Sequence, residues 1–283
     1  MASSVLVGRF GTGEIRISSE LSPGTTLNYI NNSQGRKHKK VARSQQVALF
    51  IPLQLQQSDF NIAKRYAILD RPKQTKGNEM KVSEARANVG GLSNPSKMPC
   101  KSYGLPAQAC KVGGKLRKVT GSTCEHCYAY DRGMYVMPVV KQAQARRLES
   151  IERDDWVESM TAAINKTKYF RWHDSGDIQS ASHFAKIVQV ARNTPATRHW
   201  IPTREAQIVA SYTGEIPSNL MVRVSAPMID GPPPKRFMHT STVHDKTIPV
   251  NSHTCPAPLQ NGECGNCRAC WDSAIINVSY HNH

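Results

Sequence analysis

Long apolar runs are missing from this chain, and none approaches the ~20 residues that a membrane-crossing helix requires. Its first residues, Met1-Ala-Ser-Ser-Val-Leu-Val, pass at once into polar and charged positions rather than a secretory core. A cytoplasmic protein with no membrane association is therefore expected. Fingerprints that would name a reaction are also missing: there is no P-loop, no G-x-G-x-x-G and no H-E-x-x-H. Acidic residues are scarce, 21 against 37 basic ones, which leaves a net charge of +16. That surplus suits an anionic partner such as a nucleic acid, a nucleotide or an acidic protein surface. It equally suits solubility and a positive field around metal-bound thiolates. Aromatic side chains are absent from the densest basic run, Arg36-Lys37-His38-Lys39-Lys40-Val-Ala-Arg43, so bases have nothing there to stack on. The run reads either as a phosphate contact or as a solvated loop.

Cysteine, by contrast, is abundant and patterned. Eight cysteines fall into two groups of four: Cys100, Cys110, Cys124 and Cys127, then Cys255, Cys264, Cys267 and Cys270. The second group repeats as C-x2-C-x2-C with Cys255 as a remote fourth thiol, a run that suits an iron–sulfur cluster and whose two-residue gaps turn thiols inward on one ion. In a chain of this length without a secretory start, close pairs such as Cys124/Cys127 read as metal ligands rather than disulfides. Thiolate tetrads suit iron and zinc alike, so a 4Fe–4S cluster in one or both groups and structural zinc both stay open. In the first group the count is open too. Cys100 lies near enough in sequence to complete a closed site, and without it three thiols leave one metal position free.

The remaining chain divides by pattern into a small N-terminal β/α layer over residues 1–85 and a cysteine-rich α/β domain over 86–283. Alternation in Ser4–Phe10 and Glu14–Ser18 around Gly11 and Gly13 predicts a hairpin. Val47–Leu53 reads as a buried strand, Asn61–Leu69 as a short helix, and the polar stretch 71–98 as a loop. The first metal loop then occupies 97–130. Residues 137–230 are regular: a basic helix over Val139–Ile151, another marked by Trp156, Met160, Ala163 and Ile164 with Asp154 or Asp155 placed to cap it, and then β-α repeats. Strands are predicted at Tyr169–His173, Arg198–Ile201 and Leu220–Ser225, with helices between them. This is an α/β pattern with parallel strands, and three clear repeats imply a partial β/α barrel or an open parallel sheet. Gly231-Pro-Pro-Pro ends the regular region ahead of the C-terminal metal loop, 250–272, and a short tail.

Parallel sheets bind ligands beyond the carboxyl ends of their strands. That rim would gather His173, Asp174, Ser175, Gly176, Asp177, Thr203, Arg204 and Ser225. His173 and Asp174 are the candidate catalytic pair, the carboxylates could hold ribose hydroxyls, and Gly176 lets backbone approach a ligand. The plainer alternative is a strand-end turn capped by Asp and Ser. Arg204 and Arg223 offer carboxylate or phosphate binding, or simply balance Asp174 and Asp177. Tyr128 and Trp271, beside cysteines, suit shielding a metal centre from water.

Several of these stretches carry a resemblance. Ser96-Lys-Met-Pro, Ser102-Tyr-Gly-Leu-Pro-Ala, Cys124-x-x-Cys-Tyr-Ala, Arg171-x-His-Asp-Ser-Gly-Asp and Cys264-Gly-x-Cys-Arg-Ala-Cys-Trp resemble the phage "gene product eighty-eight" family, from about residue 90 onward. This implies a phage protein in the host cytoplasm and supplies no reaction; a host protein stays open as a partner beside nucleic acid or a nucleotide. More distantly, Cys124-x2-Cys127-Tyr128 ahead of β-α units is similar to radical S-adenosylmethionine (SAM) enzymes. That likeness implies a three-cysteine 4Fe–4S cluster binding SAM, with an auxiliary cluster in the C-terminal set. The spacing departs from that family's C-x3-C-x2-C, because 13 residues separate Cys110 from Cys124.

Overall fold

The structure is a computed structural model that describes residues 6–10, 13–17 and 80–282. It divides into two compact units, Met1–Lys73 and Gln74–His283. In the first, β1 (Leu6–Phe10) pairs antiparallel with β2 (Gly13–Ile17), the hairpin expected from the alternation. The basic run at 36–43, the strand expected at Val47–Leu53 and the helix expected at Asn61–Leu69 lie outside the described residues.

The second unit is built on one open sheet of seven parallel strands in the order β3-β4-β5-β6-β7-β9-β8. These are β3 (Lys101–Tyr103), β4 (Tyr169–Trp172), β5 (Arg198–Thr203), β6 (Leu220–Ile229), β7 (Thr240–His244), β8 (Ser252–Thr254) and β9 (Asn277–His281). The open parallel sheet is the member of the expected pair that appears. No barrel closes, because the order ends in two three-residue strands, β3 and β8, that do not pair with each other.

Alternation along the strands sorts side chains to two faces. Phe170 and Trp172 of β4, Ile201 of β5 and Leu220 of β6 join the core with helices α5 (Trp156–Ile164) and α6 (Ala181–Asn193). Around it lie α1 (Val82–Asn88), α4 (Pro138–Ser150) and α7 (Ala206–Ser211). Tyr103 anchors this layer. Its hydroxyl meets the Val89 and Arg147 carbonyls and Ser150, and accepts from the Trp156 indole. Tyr169 and Arg171 belong to the opposite alternation of β4: Tyr169 packs edge-on against Trp271, and Arg171 lies over Trp200, 4.7 Å from its ring centre.

Three expectations change. The 71–98 loop contains α1, and the short tail is β9, hydrogen-bonded on both sides within the sheet. Asp155 does hold the N-cap position of α5, but its carboxylate is taken by the Arg153 guanidinium and Asn88 rather than by the helix's own N–H groups. Among the described residues no helix is long and apolar enough to cross a membrane.

Candidate functional site

Because the strands are parallel, the carboxyl ends of β4, β5, β7 and β9 and the middle of β6 open on one side. Together they line a cavity of about 480 Å³. His173, Asp174, Ser175, Gly176 and Asp177, the turn after β4, form part of its wall. Thr203 and Arg204 contribute from the end of β5 and Ser225 from β6, so the rim residues read from the sequence are gathered at one site. Cys110, Cys124, Cys127 and Tyr128 line the same cavity from the first cysteine loop.

That loop is held over the rim by backbone and one carboxylate. The Thr123 N–H donates to Pro227 O at 2.9 Å and Ile229 N–H to Gly121 O at 2.9 Å, tying the segment before Cys124 to the last residues of β6. Glu205, just beyond β5 and buried, accepts the Val112 N–H at 2.9 Å and so fixes the start of α2 (Lys111–Leu116), next to Cys110. Gly113 packs against Cys110 and Cys124. A Cβ there would lie 3.1 Å from Cys110 Cβ and 3.6 Å from Cys124 Sγ. Glu205 and Gly113 are site residues that the sequence reading missed, because neither belongs to a motif. Burial pushes the Cys110 thiol up to about 12, with Asp177 and Cys127 adding to the rise, and raises Cys127 as well. A metal bound by Cys110 and Cys127 would have to displace the protons that burial favours on these two thiols.

The rim residues divide by what already satisfies them. Asp177 Oδ1 accepts from Thr203 Oγ1 at 2.6 Å and Ile178 N–H at 2.8 Å, while Oδ2 accepts the Arg204 N–H at 2.8 Å. Burial nevertheless raises this carboxyl to about 6. Ser175 donates to Leu105 O and accepts from Gln144. Gly176 sits at φ +74°, where a Cβ would strike Leu105 at 2.6 Å, so its immediate constraint is the packing of this turn. Ser225 and Ser241 hydroxyls pair at 2.9 Å. Asp177, Ser175 and Thr203 thus fasten the turn to β5 and to the Leu105 segment.

His173 and Asp174 are different. His173 is 3% exposed and held at φ +55°, and neither ring nitrogen has a hydrogen-bond partner among the described residues. Burial, with His183 adding to it, holds its pKa well below the usual histidine range, so the ring is neutral. Strained backbone and unsatisfied buried nitrogens at a cavity wall are the combination expected where a ligand completes the site. Asp174 Oδ1 also lacks a partner among the described residues, and Oδ2 lies 3.4 Å from the Tyr135 hydroxyl. Arg204 reaches Thr123 Oγ1, leaving its Nε without a partner among the described residues.

The other five cysteines do not line the cavity. Arg223, expected as a ligand-binding or charge-balancing group, is fully buried and donates to the carbonyls of Ala269, Cys270, Asp272 and Ile275 at 2.8–3.1 Å. It pins the C-terminal cysteine loop to the sheet. Trp271 packs against Tyr169 and Trp200 and donates its indole N–H to Phe170 O. All eight cysteines are free thiols, and among the described residues no three His, Cys, Asp or Glu side chains are drawn together as a ready-made metal cage.

The sequence profile of the family described as Gene product 88 matches residues 70–273. No curated protein and no solved structure matches the chain. Nothing in these comparisons supports the likeness to radical SAM enzymes.

Proposed function

The chain belongs to the Gene product 88 family of phage proteins, and within that family we propose that it is an iron–sulfur protein of radical-SAM-like plan that acts on a nucleotide, nucleic acid or host macromolecule. The observation that carries this reading is that three thiols, Cys110, Cys124 and Cys127, line one cavity at the strand ends together with His173 and Asp174, whose side chains keep buried atoms without partners among the described residues. Three thiolates fit a cluster that retains one iron without a protein ligand. Such a cluster would supply a Lewis-acidic, redox-active iron to which the amino and carboxyl groups of SAM can bind.

The chain's own residues have separable tasks in this account. Asp174 lines the cavity beside Tyr135, with Oδ2 3.4 Å from that hydroxyl, and its carboxylate accepts hydrogen bonds from hydroxyls of a bound nucleoside. His173, kept neutral by burial, can accept a proton or donate one hydrogen bond without adding charge. Arg204 and Arg171 give the wall a positive character suited to a carboxylate or phosphate. Tyr128 and Tyr135, packed edge to face with centres 5.8 Å apart, flank the thiols, and the half-buried Tyr135 limits the entry of water. The overall charge of +16 suits an anionic substrate.

Metal and sulfide analysis of protein purified without oxygen tests the reading. Two 4Fe–4S clusters predict about eight irons and a matching amount of acid-labile sulfide per chain. Zinc without sulfide would replace this account with a zinc-stabilised, non-enzymatic phage protein that binds nucleic acid or a host protein.

A further inference from the structure

We infer that Cys100 belongs to a second, closed metal centre with Cys255, Cys264 and Cys267, apart from the cavity that holds the other three N-terminal thiols. Sequence proximity leaves Cys100 as an optional fourth thiol beside Cys110, Cys124 and Cys127. The fold takes it elsewhere. The Cys264 N–H donates to Lys97 O at 3.0 Å, so the segment leading to Cys100 is bonded directly to the C-terminal cysteine loop. Arg171 extends from the neighbouring strand to the Met98 sulfur at 3.2 Å, on the same stretch. Gly262 packs on the same stretch, where an added Cβ would lie 2.9 Å from Lys97 Nζ; the Cys267 N–H donates to Cys264 O at 3.0 Å, and Cys255 starts this loop with its N–H on Ser279 O of β9 at 2.8 Å.

Five thiols are then available where a tetrahedral ion or a cubane cluster takes four. Cys270 is the one least able to move toward the others: its carbonyl is pinned by the buried Arg223, and its side chain packs at Tyr280 within β9, Sγ 3.2 Å from the hydroxyl. The remaining four come from three separate segments, and metal binding would draw them together. That closure would join the start of β3 to the loop between β8 and β9, so metal binding would contribute to folding. His253 Nε2, 3.4 Å from Cys267 Sγ, is placed to hydrogen-bond that thiolate and hold its orientation. Four protein thiolates leave no open coordination position, so this centre would serve structure or electron storage and not substrate binding.

The inference goes beyond the cavity reading, and the two can fail separately. The test starts from Cys124→Ser protein, in which the cavity centre is removed, and measures retained metal after anaerobic loading with iron and sulfide, and separately with cobalt(II) alone. Cys124→Ser should keep a full complement of one centre. Adding Cys100→Ser should abolish that metal, or lower the thiolate-to-cobalt absorption by about a quarter if three thiolates still hold the ion. Adding Cys270→Ser should leave both signals unchanged. Retention of metal and absorption on loss of Cys100 would overturn the inference, as would a Cys124→Ser protein that binds no metal. If Cys124→Ser and wild type hold equal metal, the cavity reading fails while this one stands.

Discussion

Arg223→Met is expected to destabilise the protein by about 3–5 kcal/mol and to release the C-terminal cysteine loop, because it leaves a set of buried carbonyls without their donor. The guanidinium is fully buried and reaches four consecutive-loop carbonyls, those of Ala269, Cys270, Asp272 and Ile275. Each orphaned acceptor costs about 1–3 kcal/mol, and these costs do not add fully because the loop relaxes. Arg223→Lys should recover little, since an ammonium is a compact point charge and cannot span a fan of acceptors as a planar fork does. Urea denaturation with metal-loaded protein measures the loss. A change below about 1 kcal/mol would show that the loop is held by its metal alone.

Cys124→Ser is expected to lose the cavity centre and about half of the bound metal, with the fold retained. Serine is nearly isosteric and keeps a polar group, but its hydroxyl is a poor ligand for iron in a thiolate set. The fold should survive because Thr123 and Gly121 hold this segment to β6, and Glu205 holds the start of α2, through bonds that do not involve sulfur. Metal analysis and far-ultraviolet circular dichroism on the same sample separate the two effects. Full metal content in the variant would remove Cys124 from the ligands. Joint loss of metal and helix signal would instead make the first loop's metal a folding requirement.

The strand-end site was legible in the sequence because parallel β-α repeats impose one geometry on whatever follows each strand. Once Tyr169–Trp172, Arg198–Thr203 and Leu220–Ile229 are neighbouring parallel strands, His173, Thr203 and Ser225 must share a side. The less periodic strands were not legible. β3 and β8 have three residues each, too few for alternation to register, and β9 follows the cysteine loop with polar residues that the sheet buries, among them Asn277 and Ser279. Roles within the rim were also hidden, because an aspartate in a strand-end turn looks the same whether it meets a ligand or its own backbone. Asp177 faces Thr203, Ile178 and Arg204, while Asp174 keeps an oxygen without a partner among the described residues, and only the packing distinguishes them. Cys100 stayed open for a related reason: nine intervening residues separate it from Cys110 in sequence, yet Lys97, three residues before it, is hydrogen-bonded to Cys264, more than 150 residues away.

The most direct test of an open, ligand-accepting centre in the cavity is the electron paramagnetic resonance spectrum of the reduced protein with and without added S-adenosylmethionine. The account predicts that the wild-type signal shifts on addition. Asp174→Ala should need more of the compound for the same shift, because one partner of the nucleoside is gone, and Cys124→Ser should lack the responding signal altogether. A reduced wild-type spectrum that is identical with and without S-adenosylmethionine would contradict the account.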